Sequence, residues 1–173
     1  MTSSEYNSWL SNDDFSNGGK RHALFQDIYK KFPDKYDFIF LVLNESSKPS
    51  TPSYYGKLIG VSNDIEGLGL NAYDNSAEYG SSGKLKAVMQ LTAIDYLKFG
   101  PALHELAHNW ANFGIITHSV DAPGSNLTSY EYLGHWGFTG GSTKGQLGGF
   151  KQSSLIEHGN NLYTVEPFGR FAN

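Results

Sequence analysis

Within PALHELAHNWANFG (residues 101–114), His104, Glu105 and His108 follow the order H-E-x-x-H. On an α-helix, residues four apart lie on one face, one above the other. Two imidazoles placed there can hold one zinc ion, and the glutamate between them can take a proton from the water that attacks a substrate. These residue types in this spacing point to metal-assisted hydrolysis, with a peptide bond as the leading substrate. The motif needs a helix to carry it. Pro101 suits the first helical position, and Gly114 suits the position just past the last turn. Leu103, Leu106, Ala107, Trp110, Ala111 and Phe113 surround the motif and predict a largely buried helix. Two buried histidines and a carboxylate need partners, and a metal supplies one.

A catalytic zinc takes three protein ligands and keeps one position open. The third must come from beyond the helix, where the candidates are His118, Asp121, Glu131, His135, Glu157 and His158. The longer pattern H-E-x-x-H-x-x-G-x-x-H fails, because Ala111 and Gly114 stand where glycine and histidine are required. Stabilising the oxyanion of a tetrahedral intermediate needs a donor besides the metal, and Tyr132, His118 and Tyr130 are near enough in sequence to qualify. Asn109 and Asn112 sit on the motif helix, where they can orient ligands. His22 and His158 read as surface residues.

HELAHNW, followed by GHWG and GQLGGF, resembles the zincin metallopeptidases. More narrowly, it is similar to a group of bacterial zincin-like domains that carry H-E-x-x-H-x-W, a later H-W-G and G-x-L-G-G, often inside long extracellular proteins. YDFIFLVLN and GSSGKLKAVMQL look like that group too, so the resemblance covers residues 20–150. It implies an α+β, zincin-like fold: an N-terminal mixed β-sheet with helices, the motif helix among them, then an irregular glycine-rich C-terminal lobe. It also implies Zn2+ as cofactor, with His135 joining His104 and His108 as ligands and Glu105 as general base. The implied substrate is a peptide or protein, and the implied setting is extracellular or cell-surface, as part of a longer multidomain protein. The group continues into a segment containing a methionine. Here Met1 and Met89 are the only two, so either the fold manages without a methionine turn beneath the metal or the chain is a shortened form. Two other readings compete. One is a zincin-fold binding module that keeps the metal without cleaving. The other is a zinc hydrolase acting on a different amide or ester.

The elements that must position the motif come from patterning across 173 residues, taken as a single catalytic domain with an upper lobe 1–114 and a lower lobe 115–173. Composition is 39% hydrophobic and 17% charged, with mean hydropathy −0.41, which fits a globular chain able to bury a core. The net charge of −4 and the lack of a Lys/Arg run argue against nucleic acid as partner. No apolar run reaches membrane-spanning length, and the start, MTSSEYNSWLSNDD, is too polar for a secretion signal. Without cysteine, the metal ligands are limited to His, Asp and Glu.

A short helical turn over 5–10 with Trp9 and Leu10 as anchors, then a helix over 20–32 stopped by Pro33, are predicted first. The run 36–43, YDFIFLVL, reads as a central strand buried on both faces. Shorter strands follow over 54–61 and 65–73, joined at Ser62-Asn63-Asp64. The spacing Gly67, Gly69, Ala72 is no dinucleotide site, because no helix follows it. Lys84–Leu91 is the last strand before the motif helix, with an edge on which an extended peptide could add. Nine of the 20 glycines lie between Gly134 and Gly169, a region that lacks strand or helical period and reads as loops.

Overall fold

The computed structural model describes residues 1–66, 71–110, 137–142 and 147–166. It has mixed α+β content. One compact unit is formed by Met1–Glu66 with Asn71–Glu105; a second takes Gly67–Leu70 with Leu106–Asn173. The first unit therefore ends inside the motif, at Glu105, whereas the composition change suggests a cut after Gly114.

The first unit is built on a three-stranded sheet of β1 (Phe38–Val42), β2 (Gly56–Gly60) and β5 (Ala87–Leu91), in the order β1-β5-β2. β5 runs parallel to β1, with Phe38 opposite Ala87, and antiparallel to β2, with Gly56 opposite Leu91. This reverses the expectation for YDFIFLVL. β1 lies at the edge, and its residues are half-buried or, at Phe40, exposed. The central strand is AVMQL, every residue of which is buried. The apolar run 36–43 is a strand but neither central nor buried on both faces, because composition cannot tell which strand has neighbours on both sides. With both sides paired, β5 has no free edge for a peptide.

Two helices cover one face of this sheet. α1 (Ser3–Ser11) starts with a capping box: the Thr2 hydroxyl accepts from Glu5 N–H, and the Glu5 carboxylate accepts from Thr2 N–H. α2 (Gly18–Tyr29) is capped by Asn17, whose side chain accepts from Lys20 N–H. It stops before Phe32, which is exposed. Trp9 of α1 and Phe25 of α2 join Phe15, Leu43, Val61, Tyr79, Leu85 and Val88 in the core, with Ile39, Leu41 and Ile59 packed against it. The strand period puts Ile39, Val88 and Ile59 on the face that meets the helices. His22 is partly exposed on α2; its Nε2 lies 3.4 Å from Glu78, and its ring sits 4.6 Å from that of Tyr79.

The same face holds a polar tie that the hydrophobic pattern does not reveal. Gln90, 1% exposed on the central strand, accepts from Trp9 Nε1–H at 2.6 Å and donates to the Tyr54 hydroxyl at 2.8 Å. The Tyr54 hydroxyl donates in turn to Asp13 at 2.7 Å. The chain links α1, β5 and the approach to β2 through satisfied buried groups.

Of the predicted strand 65–73, residues 67–70 lie outside the described residues, and Tyr73 at its end is in a strand. Ser62–Asn63, expected as a turn, forms β3 and pairs with β4 (Tyr73–Asp74). In the second unit, the glycine-rich stretch is not all loop. Gly137–Ser142 (β6) and Gly148–Phe150 (β7) pair in parallel. Ile156–Glu157 (β8) and Tyr163–Thr164 (β9) form a hairpin, with Asn160 and Asn161 at φ 54° and 59°. Asparagine tolerates that left-handed geometry, which a tight hairpin turn requires. Among the described residues, no helix is long and apolar enough to cross a membrane.

Gln90→Leu strands the buried Trp9 N–H without an acceptor. It is expected to cost about 2 kcal/mol in urea unfolding, against less than about 0.5 kcal/mol for the surface change Lys31→Ala.

Candidate active site

The motif helix forms where the spacing predicts but is shorter. Four residues, Tyr96–Phe99, make a first turn (α3); Pro101 is fully buried, and α4 runs Ala102–Ala107. Its first bond is donated by Glu105 N–H to the Pro101 carbonyl at 2.7 Å. Proline thus stands just outside the helix, where its missing N–H costs nothing. The α-helix then tightens into a 3-10 turn over His108–Trp110. His104 and Glu105 close the first unit, and His108 belongs to the second.

Burial of the helix also differs from expectation. Leu103 is 65% exposed and Trp110 48%, while Leu106 and Ala107 are half-buried. Among the motif residues, it is His104 that is inaccessible, at 3%. Among the described flanking residues, Leu103 and Trp110 face solvent; Ala111 and Phe113 lie outside the described residues. The imidazole is the group taken out of water.

Glu105 is half-buried, and its surroundings are defined by the sheet edge. Its Oε2 accepts from Leu58 N–H at 3.1 Å. Flanking β2, Tyr55 and Val61 bond to the β5 side, through Thr92 N–H to Tyr55 O and Val61 N–H to Lys86 O. Antiparallel alternation then turns Gly56, Leu58 and Gly60 outward, away from β5. The Leu58 N–H is therefore an edge donor, and Glu105 takes it. Gly56 makes the approach possible. A Cβ there would stand 2.8 Å from both Glu105 Cγ and Pro101 Cγ, and 3.1 Å from Leu91 Cδ2.

Burial pushes the Glu105 carboxyl up to about 7, while the Leu58 N–H and the charge of Lys57 pull it back in part.

The donors His104 and His108 are nitrogen ligands of the kind zinc accepts, and they flank a carboxylate. Among the described residues, no group of three or more His, Asp or Glu comes together to hold a metal ion. The described donors therefore fit zinc in type and fall short in number. His135, His118, Asp121, Glu131, Tyr130, Tyr132 and Asn112 lie outside the described residues. Of the remaining candidates, Glu157 is exposed on β8. His158 Nε2 lies 2.7 Å from Thr164 Oγ1, across the β8–β9 hairpin, which is a local structural role. Asn109 is half-buried in the 3-10 turn.

A groove of about 650 Å³ between α1 and α2 does not include the motif. It is lined by residues such as Ser8, Ala23, Asp27 and Ile28 and contains no histidine. The participants that spacing alone did not single out are Gly56 and the Leu58 amide. One signal was present: glycine inside a strand pattern often marks the close approach of another element.

The raised carboxyl has a sign that can be checked in metal-free protein. The folded value lies above the ordinary 4.5, so its contribution to stability is fully present below pH 4.5 and is lost as pH rises through about 7. Glu105→Gln removes the charge and keeps an acceptor. It is expected to match wild type near pH 4.5 and to exceed it by about 2 kcal/mol at pH 8 in denaturant titrations.

No family model, no curated protein and no solved structure matches this chain.

Proposed function

We propose that the chain is a zinc-dependent peptidase of zincin type. The observation that carries this reading is the seat of Glu105: a desolvated carboxylate beside buried His104, anchored at the outer edge of a β-strand. His104, His108 and His135 would hold the metal, His135 by resemblance of the H-W-G segment. When bound, zinc supplies Lewis acidity at the scissile carbonyl.

The remaining work falls to the chain's own groups. The β5 edge is closed off by the sheet, and the outward Leu58 N–H of β2 is taken by Glu105, so this edge serves the carboxylate rather than an added peptide strand. Glu105 keeps Oε2 on the Leu58 amide and takes the water proton at Oε1. It then returns that proton to the leaving amine, acting as base and then as acid. Tyr132 or His118 donates to the developing oxyanion.

A second reading has one observation in its favour. The Glu105–Leu58 bond also ties α4 to β2, so the glutamate has a structural use in a metal-holding module that does not cleave. The two readings separate experimentally. Metal analysis is expected to find about one zinc per chain. His135→Ala should release it; unchanged affinity would remove His135 from the ligand set. Glu105→Gln should retain zinc and lower turnover on a peptide library by at least about 100-fold. A wild-type protein that holds zinc and cleaves nothing, on ester and amide panels included, is the binding module.

A further inference from the structure

We propose that edge strand β2 is the positioning device for Glu105: the Leu58 amide fixes one carboxylate oxygen, and the side-chain-free Gly56 admits the carboxylate to it. The inference rests on Glu105 being the base of the peptidase reading, and it adds two residues that the H-E-x-x-H pattern does not contain.

A glutamate side chain has three rotatable bonds, and a general base must present one oxygen to its water within hydrogen-bond reach. Left to itself on a helix surface, the carboxylate samples several rotamers. Here one oxygen is fixed by the 3.1 Å bond from Leu58 N–H. Since that bond uses Oε2, Oε1 is the oxygen left to accept the proton. The donor is a backbone group of a strand held to β5 on its other side, so it cannot swing away as a side-chain donor could.

The donor is also well suited to the task. Leu58 N–H faces outward by strand alternation, so holding the carboxylate breaks no ladder bond of the sheet. The approach depends on position 56. With Glu105 Cγ and the Pro101 ring each 2.8 Å from a notional Cβ, any side chain there would displace either the carboxylate or the helix start. The proline ring is rigid and fully buried, so the displacement falls on the helix or on Glu105. Strand and helix are thus matched at two points two residues apart, one steric and one polar.

The experiment compares Leu58→Pro with Leu58→Ala. Both remove the leucine side chain, and only proline removes the N–H. Proline is tolerated on a strand edge where the N–H faces outward. In the zinc-loaded protein, kcat of Leu58→Pro is expected to be about tenfold or more below that of Leu58→Ala, with KM and zinc content unchanged. Equal kcat values overturn the proposal.

A second readout needs no turnover. By amide hydrogen exchange, the Leu58 N–H should be protected in wild type and lose that protection in Glu105→Ala, while Lys57 and Ile59, bonded to β5, keep theirs. A Leu58 amide that exchanges as fast in wild type as in Glu105→Ala overturns the proposal. Should Leu58→Pro not fold, Gly56→Ala takes its place: it is expected to lose both Leu58 protection and kcat, and retention of both overturns the role of Gly56. If wild type shows no turnover while Leu58 protection depends on Glu105, the peptidase reading fails and the anchoring of Glu105 by β2 stands.

Discussion

A carboxylate on the motif helix and a backbone amide on the outer edge of β2 meet at 3.1 Å, and the first unit is arranged so that they can. The amide is available only because β2 is an edge strand in antiparallel register, with Leu58 facing out. The helix can come close only because position 56 has no side chain. The carboxylate is desolvated because the sheet edge and the buried Pro101 stand against it. A one-residue slip of β2 against β5 would turn Leu58 N–H into the ladder and a different amide outward. Register, glycine and helix start are therefore one constraint with three parts.

Register in turn depends on the packing of the opposite face. β5 is fixed by burial on both sides, and its Val88 and Gln90 face α1 and α2. Gln90 is the informative residue there. An amide in the centre of a sheet is tolerated because both its ends are bonded, to Trp9 Nε1 and to the Tyr54 hydroxyl. Tyr54 lies two residues before Gly56, so the same network that anchors α1 also fixes the chain entering β2. The polar tie gives direction where apolar contact alone would permit sliding.

The order of helices and strands could be read from the sequence wherever period and punctuation agreed. The helical turn over 5–10, the helix over 20–32 and the strand Lys84–Leu91 correspond to α1, α2 and β5 with shifted ends. Sheet position could not be read: YDFIFLVL is as apolar as a central strand, yet it lies at the edge, since neighbours are a property of topology and not of composition. Glycine-rich β6 and β7 lack the side-chain alternation that signals a strand, so their pairing left no pattern to detect. Of the candidate site, His104, Glu105 and His108 were marked by spacing. The Leu58 amide was not, because a backbone donor leaves no trace in residue type. Gly56 was marked weakly, as a glycine within a strand run. His135, by contrast, is carried by resemblance to other sequences and lies outside the described residues.

What unifies these features is the claim that the PALHELAH segment supplies two nitrogen ligands and a proton acceptor to one zinc ion. X-ray absorption at the zinc edge, on protein purified with its native metal, tests that claim most directly. The account predicts a four-coordinate shell of nitrogen and oxygen at about 2.0–2.1 Å, with at least two imidazoles visible in the outer scattering, one of them lost in His104→Ala. A six-coordinate all-oxygen shell, or an imidazole count unchanged by His104→Ala, would contradict it.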